Sequence, residues 1–178
     1  MDILGTGLSG LVGTKVTELL SDFSFRNLSL ETGFDITVRD SVNGIIREAP
    51  EHTVRHMAAY TDVDGAEKEK DKGTGSVSWK VNVEGTRYIA EACKTFGKRL
   101  IYISTDFVFD GSKEFYTEED TPHPINWYAK TKFEGEKKVQ ESGVDSCIIR
   151  IAYPYRSLFK KNDFMRAVKS RLEKHEEV

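Results

Sequence analysis

Three glycines at fixed spacing constrain this chain more than any other feature. Gly7-Leu8-Ser9-Gly10-Leu11-Val12-Gly13 comes directly after a short apolar run, Met1 to Thr6. The run after Gly10 carries Val12, Val16, Leu19, Leu20 and Phe23 at helical spacing, so the pattern reads as strand, tight turn and helix. The first glycine of such a turn permits the sharp reversal, and the second lets backbone N–H groups approach a pyrophosphate. The third allows the helix to pack closely on the strand. The positive end of the helix dipole adds attraction for an anion. The pattern predicts a dinucleotide site.

The chain beyond Phe23 alternates in the same way. Leu28 and Leu30 mark a second, weak strand, Asp40 to Glu48 a short helix, and His52 to Ala59 another strand. Val81 to Phe96 reads as a helix ended by Gly97, and Leu100 to Ser104 as an apolar strand short enough to be buried on both faces. Ile125 to Glu141 is a long helical segment closed by Ser142-Gly143, and Cys147 to Ile151 is another buried strand. Strands and helices in alternation imply right-handed crossovers. The fold class is therefore α/β, a doubly wound parallel sheet of Rossmann type with helices on both faces. Glu67 to Ser78, with mixed charge and low hydrophobicity, reads as an exposed loop.

A dinucleotide site of this kind carries an acid about 20 residues beyond the loop to accept from a ribose hydroxyl. Glu31 stands near that place, flanked by Arg26 and Arg39. An acid favours NADH and an arginine favours NADPH, so the choice stays open. Asp35 can meet the adenine amino group or cap the next helix.

Composition narrows the rest. With 178 residues, the length suits one domain. There are 29 acids and 26 bases, a formal charge of −3, which gives no pull toward nucleic acid. No apolar run is long enough for a membrane span, and the N-terminus lacks the pattern of a secretion signal. Cys93 and Cys147 lie in apolar segments and read as reduced, buried thiols. A cytoplasmic protein is expected.

Tyr128 and Lys132 stand one helical turn apart in Tyr128-Ala129-Lys130-Thr131-Lys132. An ammonium beside a phenol stabilises the phenolate and lowers its pKa, so the phenol can pass a proton to or from a substrate oxygen. Upstream, Ser104-Thr105-Asp106 comes after the apolar strand, and strand carboxyl ends face the ligand crevice in a doubly wound sheet. A hydroxyl there can hold a carbonyl oxygen, or simply close the strand in a turn.

Several motifs occur in a telling order: the glycine loop, Ala58-Ala59-Tyr60-Thr61-Asp62-Val63-Asp64, Asn82-Val83-Glu84-Gly85-Thr86, Ser104-Thr105-Asp106-Phe107-Val108-Phe109-Asp110-Gly111, and the Tyr128/Lys132 helix. Together they resemble the extended short-chain dehydrogenase/reductase superfamily, and more narrowly the dTDP-4-dehydrorhamnose reductase family, from residue 1 to about residue 155. The resemblance implies a dinucleotide-binding domain over 1–155 and the start of a substrate region or a terminal helix over 156–178. It implies that Gly7, Gly10 and Gly13 hold a pyrophosphate, with Leu8 and Ser9 supplying loop backbone. Ala58, Ala59 and Tyr60 then line the nicotinamide-side ribose. Thr105 bonds a 4-keto oxygen, Tyr128 donates the proton, and Lys132 lowers the Tyr128 pKa and holds the ribose hydroxyls. Ser104, Asp106 and Trp127 lie beside the sugar by position. The implied reaction takes hydride from NADPH or NADH to C4 of a nucleotide-linked 6-deoxy sugar, giving dTDP-rhamnose. Some relatives are instead non-catalytic regulatory subunits of methionine adenosyltransferase, and others are nucleotide-sugar epimerases or dehydratases. The dehydratases carry Asp-Glu where this chain has Asp106-Phe107.

Departures from the family pattern carry expectations too. Arg55 interrupts a strand that is apolar in the family, so it needs exposure or a partner. Gly5 weakens the first strand. The family continues about a hundred residues further, which suggests either a short relative or a truncated product. His52 and His56 lack a third ligand, so no metal is expected. His123 falls in an extended loop between prolines. Asp163 to Val178 reads as a helix, with Phe164, Val168 and Leu172 on one side, packing on the domain or on a second copy in a homodimer.

Overall fold

The structure is a computed structural model and describes residues 2–156, 159–160 and 163–174. Five strands, β1 (Asp2–Thr6), β2 (Ser24–Leu28), β3 (Thr53–His56), β4 (Arg99–Thr105) and β5 (Ser146–Ile151), form one parallel sheet in the order β2-β1-β3-β4-β5. The doubly wound α/β reading holds. The helices are α1 (Leu11–Leu19), α2 (Arg39–Glu48), α3 (Val63–Lys68), α4 (Val77–Trp79), α5 (Thr86–Thr95), α6 (Trp127–Ser142) and α7 (Phe164–Glu173). The chain leaves β1 toward β2 on one side and returns to β3 on the other, so the strand order reverses between β1 and β3. A crevice opens where the two connections diverge.

One face of the sheet is the core. Leu4, Val54, Leu100 and Tyr102 point the same way from β1, β3 and β4 and are fully buried with Val42, Ile46, Ile89, Cys93 and Val139. Alternation along each strand puts Arg55 on the opposite face. There the guanidinium is part-exposed and lies 5.6 Å from the centre of the Phe25 ring, a cation–π contact, with no ionic partner among the described residues. Gly5 also has its reason. A Cβ there would lie 2.7 Å from the Leu8 side chain, which folds back under the strand and is 5% exposed.

Several boundaries differ from expectation. The first helix stops at Leu19, leaving Phe23 outside it, and the second strand ends at Leu28, with Leu30 opening a 3₁₀ turn. The helix predicted from Val81 is wound as a π turn over Lys80–Gly85 before α5 begins. Glu67 to Ser78 is not a free loop. Glu67 accepts from the Trp127 N–H at 2.9 Å, and Ser76 and Ser78 are buried, so the segment braces the start of α6. Cys93 is buried, and that burial pushes its thiol up to about 12. Cys147, however, is exposed. It lies on β5, which among the described residues pairs only with β4 and so forms the sheet edge, and it shares an exposed face of that strand with Ile149. The terminal helix forms as α7, but none of its residues is buried. Its Phe164 ring meets Tyr153 at 4.9 Å. Residues 175–178 lie outside the described ones. Among the described residues no helix is long and apolar enough to cross a membrane.

Candidate functional site

A cleft of about 860 Å³ lies over the carboxyl ends of β1, β3 and β4. Its floor is the glycine loop. Gly7 has φ +69°, and a Cβ on it would fall 2.5 Å from the Ala58 backbone nitrogen. A Cβ on Gly13 would fall 2.5 Å from the Cα of Leu8. The turn therefore closes only with bare backbone at both positions, and α1 is drawn tightly onto the strand. Gly10 caps α1 without a side-chain acceptor, and no acid stands in the first turn. The N–H groups there are left for an anion.

The cleft collects most of the residues singled out from the sequence. Gly7, Ser9 and Gly10 line it from the loop, and Glu31 and Asp35 from beyond β2. Ala58 and Ala59 border it after β3, Ser104, Thr105 and Asp106 at the carboxyl end of β4, and Tyr128 and Lys132 on α6. Four others lie outside it. Leu8 is packed beneath Gly5, and Gly13 is buried in α1. The Tyr60 N–H is held by Asn82 Oδ1 at 2.8 Å, and its hydroxyl is directed toward Gly65. Trp127 stacks on Trp79 at 5.9 Å and donates from Nε1 to Ser76 Oγ at 3.2 Å, which anchors the start of α6. His123 pairs with Asp110 at 3.1 Å on the surface.

The charges at the ribose end sort themselves. Arg26 makes a two-point pair with Glu51 at 2.8 and 2.9 Å, and Arg39 reaches Glu91 at 3.0 Å. Both arginines are thus engaged away from the cleft. Glu31 meets Lys160 at 3.3 Å. Asp35 Oδ1 accepts from both the N–H and the hydroxyl of Thr37, each at 2.8 Å, a turn-closing role.

At the other end, Asn126 caps α6 by accepting from the Ala129 N–H at 2.8 Å, which sets the helix phase that turns Tyr128 and Lys132 inward. Lys132 is 2% exposed. Its ammonium donates to the Ile103 carbonyl at 2.8 Å and sits 4.3 Å from the centre of the Tyr102 ring. Burial brings its pKa down to about 7, with the Glu136 carboxylate opposing. Burial raises Tyr128 above the ordinary phenol range, and a hydrogen bond with Thr105 works against that rise. The expected lowering by Lys132 does not operate in this arrangement, because the ammonium is turned to Ile103 and Tyr102. Thr105 Oγ1 donates to Asp106 Oδ1 at 3.2 Å and accepts from the Phe107 N–H at 3.2 Å. The Ser104 hydroxyl is buried with no hydrogen-bond partner among the described residues, an orphan in a residue that borders the cleft.

The Lys132 shift makes a measurable prediction. The unfolded lysine titrates near 10.4, so between about pH 7 and that value the unfolded chain binds the extra proton and stability rises with pH. Urea unfolding at pH 7 and pH 8, where the unfolded Cys93 thiol is still mostly protonated, should show a gain in the parent chain. Lys132→Met should flatten it.

Two residues that the sequence pattern gave no part in the site also shape it. Asn82, 1% exposed in the π turn, holds both main-chain groups of Tyr60 and donates to Thr131 Oγ1 at 3.0 Å. It ties the segment after β3 to α6. His56, considered from the sequence only as a metal ligand, is fully buried between Thr6 Oγ1 at 2.7 Å and Thr86 Oγ1 at 3.0 Å. Burial, with the Lys132 charge second, brings its pKa down to about 3. Neither role has a sequence signal, since each depends on contacts across the sheet. The arm after β5 also closes on the cleft. Tyr153, with φ +37°, Phe159 and Phe164 line it, and Arg156 ties the arm to Thr14 Oγ1 at 2.7 Å and to Glu18 at 2.7 Å.

The whole chain, residues 1–178, matches the family model described as RmlD substrate binding domain. It is 36% identical over 156 residues to a dTDP-4-dehydrorhamnose reductase of Aggregatibacter actinomycetemcomitans, covering 86% of this chain and 51% of that protein. It is 33% identical over 163 residues to methionine adenosyltransferase 2 subunit beta of Mus musculus, covering 86% and 47%. The crystal structure of dTDP-4-dehydrorhamnose reductase from Bacillus anthracis in complex with NADP matches with a TM-score of 0.84 and 34% identity, over 99% of this chain and 61% of that one. The chain spans about half the length of the curated relatives it matches.

Proposed function

This chain belongs to the RmlD substrate binding domain family, and on that premise we propose that its cleft binds NADPH or NADH and serves reduction of the 4-keto group of a nucleotide-linked 6-deoxy sugar. The substrate we assign is dTDP-4-dehydrorhamnose. The observation that carries this reading is the meeting, in one cleft, of a bare-backbone glycine turn with a phenol, an ammonium and two hydroxyls. The cradle suits the dinucleotide, since the turn forms only with bare backbone at Gly7 and Gly13 and no side chain of the Gly10 cap accepts from the start of α1. The nicotinamide, when bound, supplies the hydride.

This chain's own residues do the rest. The Thr105 hydroxyl leaves Asp106 to hold the sugar's carbonyl oxygen, and the orphan Ser104 hydroxyl adds a second donor. Tyr128 then gives its proton to that oxygen as the carbon is reduced. A buried phenol with a raised pKa is fully protonated at neutral pH, which suits a donor in the reducing direction. Lys132 recovers the proton balance by turning from Ile103 toward the phenolate left behind, and its pKa near 7 lets it pass a proton inward.

A second reading, a nucleotide-binding regulatory subunit without turnover, is supported by the near-equal likeness to the methionine adenosyltransferase subunit. The deciding experiment titrates NADPH and NADH by quenching of tryptophan fluorescence, then monitors nicotinamide absorbance with dTDP-4-dehydrorhamnose. Turnover supports the reductase. Tight binding without turnover favours the regulatory reading, and failure to bind either dinucleotide overturns both.

A further inference from the structure

We propose that His56 is a positioning residue of the cleft, held as the Nε2–H tautomer and fixing the glycine-loop strand and the Lys132 side chain relative to each other. The contacts determine the tautomer. The Ala58 N–H donates to Thr6 Oγ1 at 3.2 Å, and the hydroxyl proton of Thr6 has no other acceptor than His56 Nδ1, 2.7 Å away, among the described residues. Nδ1 is therefore an acceptor and Nε2 carries the hydrogen, which it donates to Thr86 Oγ1 at 3.0 Å.

This single ring supports two parts of the site. Through Thr6 it holds the Ala58 backbone, where β1 and β3 part and Gly7 makes its closest approach. Through its flat face it stacks on Tyr102, with ring centres 5.4 Å apart and planes inclined at 24°. The Lys132 ammonium rests 4.3 Å from the centre of that same Tyr102 ring. The imidazole touches no space in the cleft and takes no part in chemistry. It acts through Thr6 and Tyr102. The consequence for ligand binding rests on the dinucleotide reading of the cleft, whereas the tautomer does not.

Two measurements test it on the full chain. Nitrogen-15 NMR of the imidazoles at pH 7, with the His56 signals assigned by their loss in His56→Asn, should show Nε2 protonated and Nδ1 bare. A protonated Nδ1 overturns the proposal. In the second, NADPH and NADH are titrated against three variants. His56→Asn keeps an acceptor where Nδ1 stands and should bind within about threefold of the parent. His56→Gln and His56→Phe lose that acceptor and should bind roughly tenfold more weakly, the loss of one hydrogen bond to a buried group. Equal binding by all three, or equal loss in all three, overturns the positioning role. If the parent binds neither dinucleotide, the functional reading fails, and the NMR result still decides the tautomer.

Discussion

Tyr128→Phe should lower turnover of dTDP-4-dehydrorhamnose by about 10²–10⁴-fold, the range for removal of a positioned general acid. Its dissociation constants for NADPH and NADH should change by less than about threefold, well under 1.4 kcal/mol. The Tyr128 ring is half-buried, and the Phe107 ring meets it edge-on with centroids 6.1 Å apart, so phenylalanine keeps the packing and loses only the hydroxyl. Steady-state rates and fluorescence titrations on the same preparations separate the two effects. Turnover unmoved by the substitution would remove Tyr128 from the chemistry. Thr105→Val serves as a companion, because it deletes the second hydroxyl of the pair while leaving the proton donor in place.

Gly7→Ala should destabilise the chain by roughly 3 kcal/mol and abolish measurable dinucleotide binding. Two costs add. A left-handed residue with a Cβ is disfavoured, and here that Cβ would overlap the Ala58 backbone at 2.5 Å, where no side chain can rotate aside. Gly33→Ala isolates the first cost. Its φ is +78°, yet nothing lies within 4 Å of the added atom. Urea unfolding should place Gly33→Ala about 1 kcal/mol below the parent, with dinucleotide binding kept. Equal effects at the two positions would mean that the close approach of the loop to β3 does not matter.

Much of this site could be read along the chain because its parts are local. A glycine turn between a strand and a helix, a tyrosine and lysine one turn apart, and a hydroxyl pair at a strand end each depend on a few neighbouring residues, and periodicity alone places them at the carboxyl edge of a parallel sheet. That edge brings Gly7, Ala58, Thr105 and Tyr128 into one cleft whatever the details of packing. The surroundings of Trp127 and Tyr60 were not legible, for the converse reason. Their neighbours in sequence face the cleft, but Trp79, Ser76 and Asn82, which come from other segments, take their side chains or backbone elsewhere. The direction of the Tyr128 shift was also out of reach, since burial and the turn of one ammonium toward Ile103 decide it.

By itself, then, the amino-acid order determined the α/β architecture and the identity of the phenol, ammonium and glycine turn, because those arise from spacing within single elements. Only the tertiary structure decided the lowered pKa of Lys132, the orphan hydroxyl of Ser104 and the contacts of His56. Each of these depends on which distant groups share a water-free interior, and desolvation and hydrogen bonding there act between residues that no local pattern brings together.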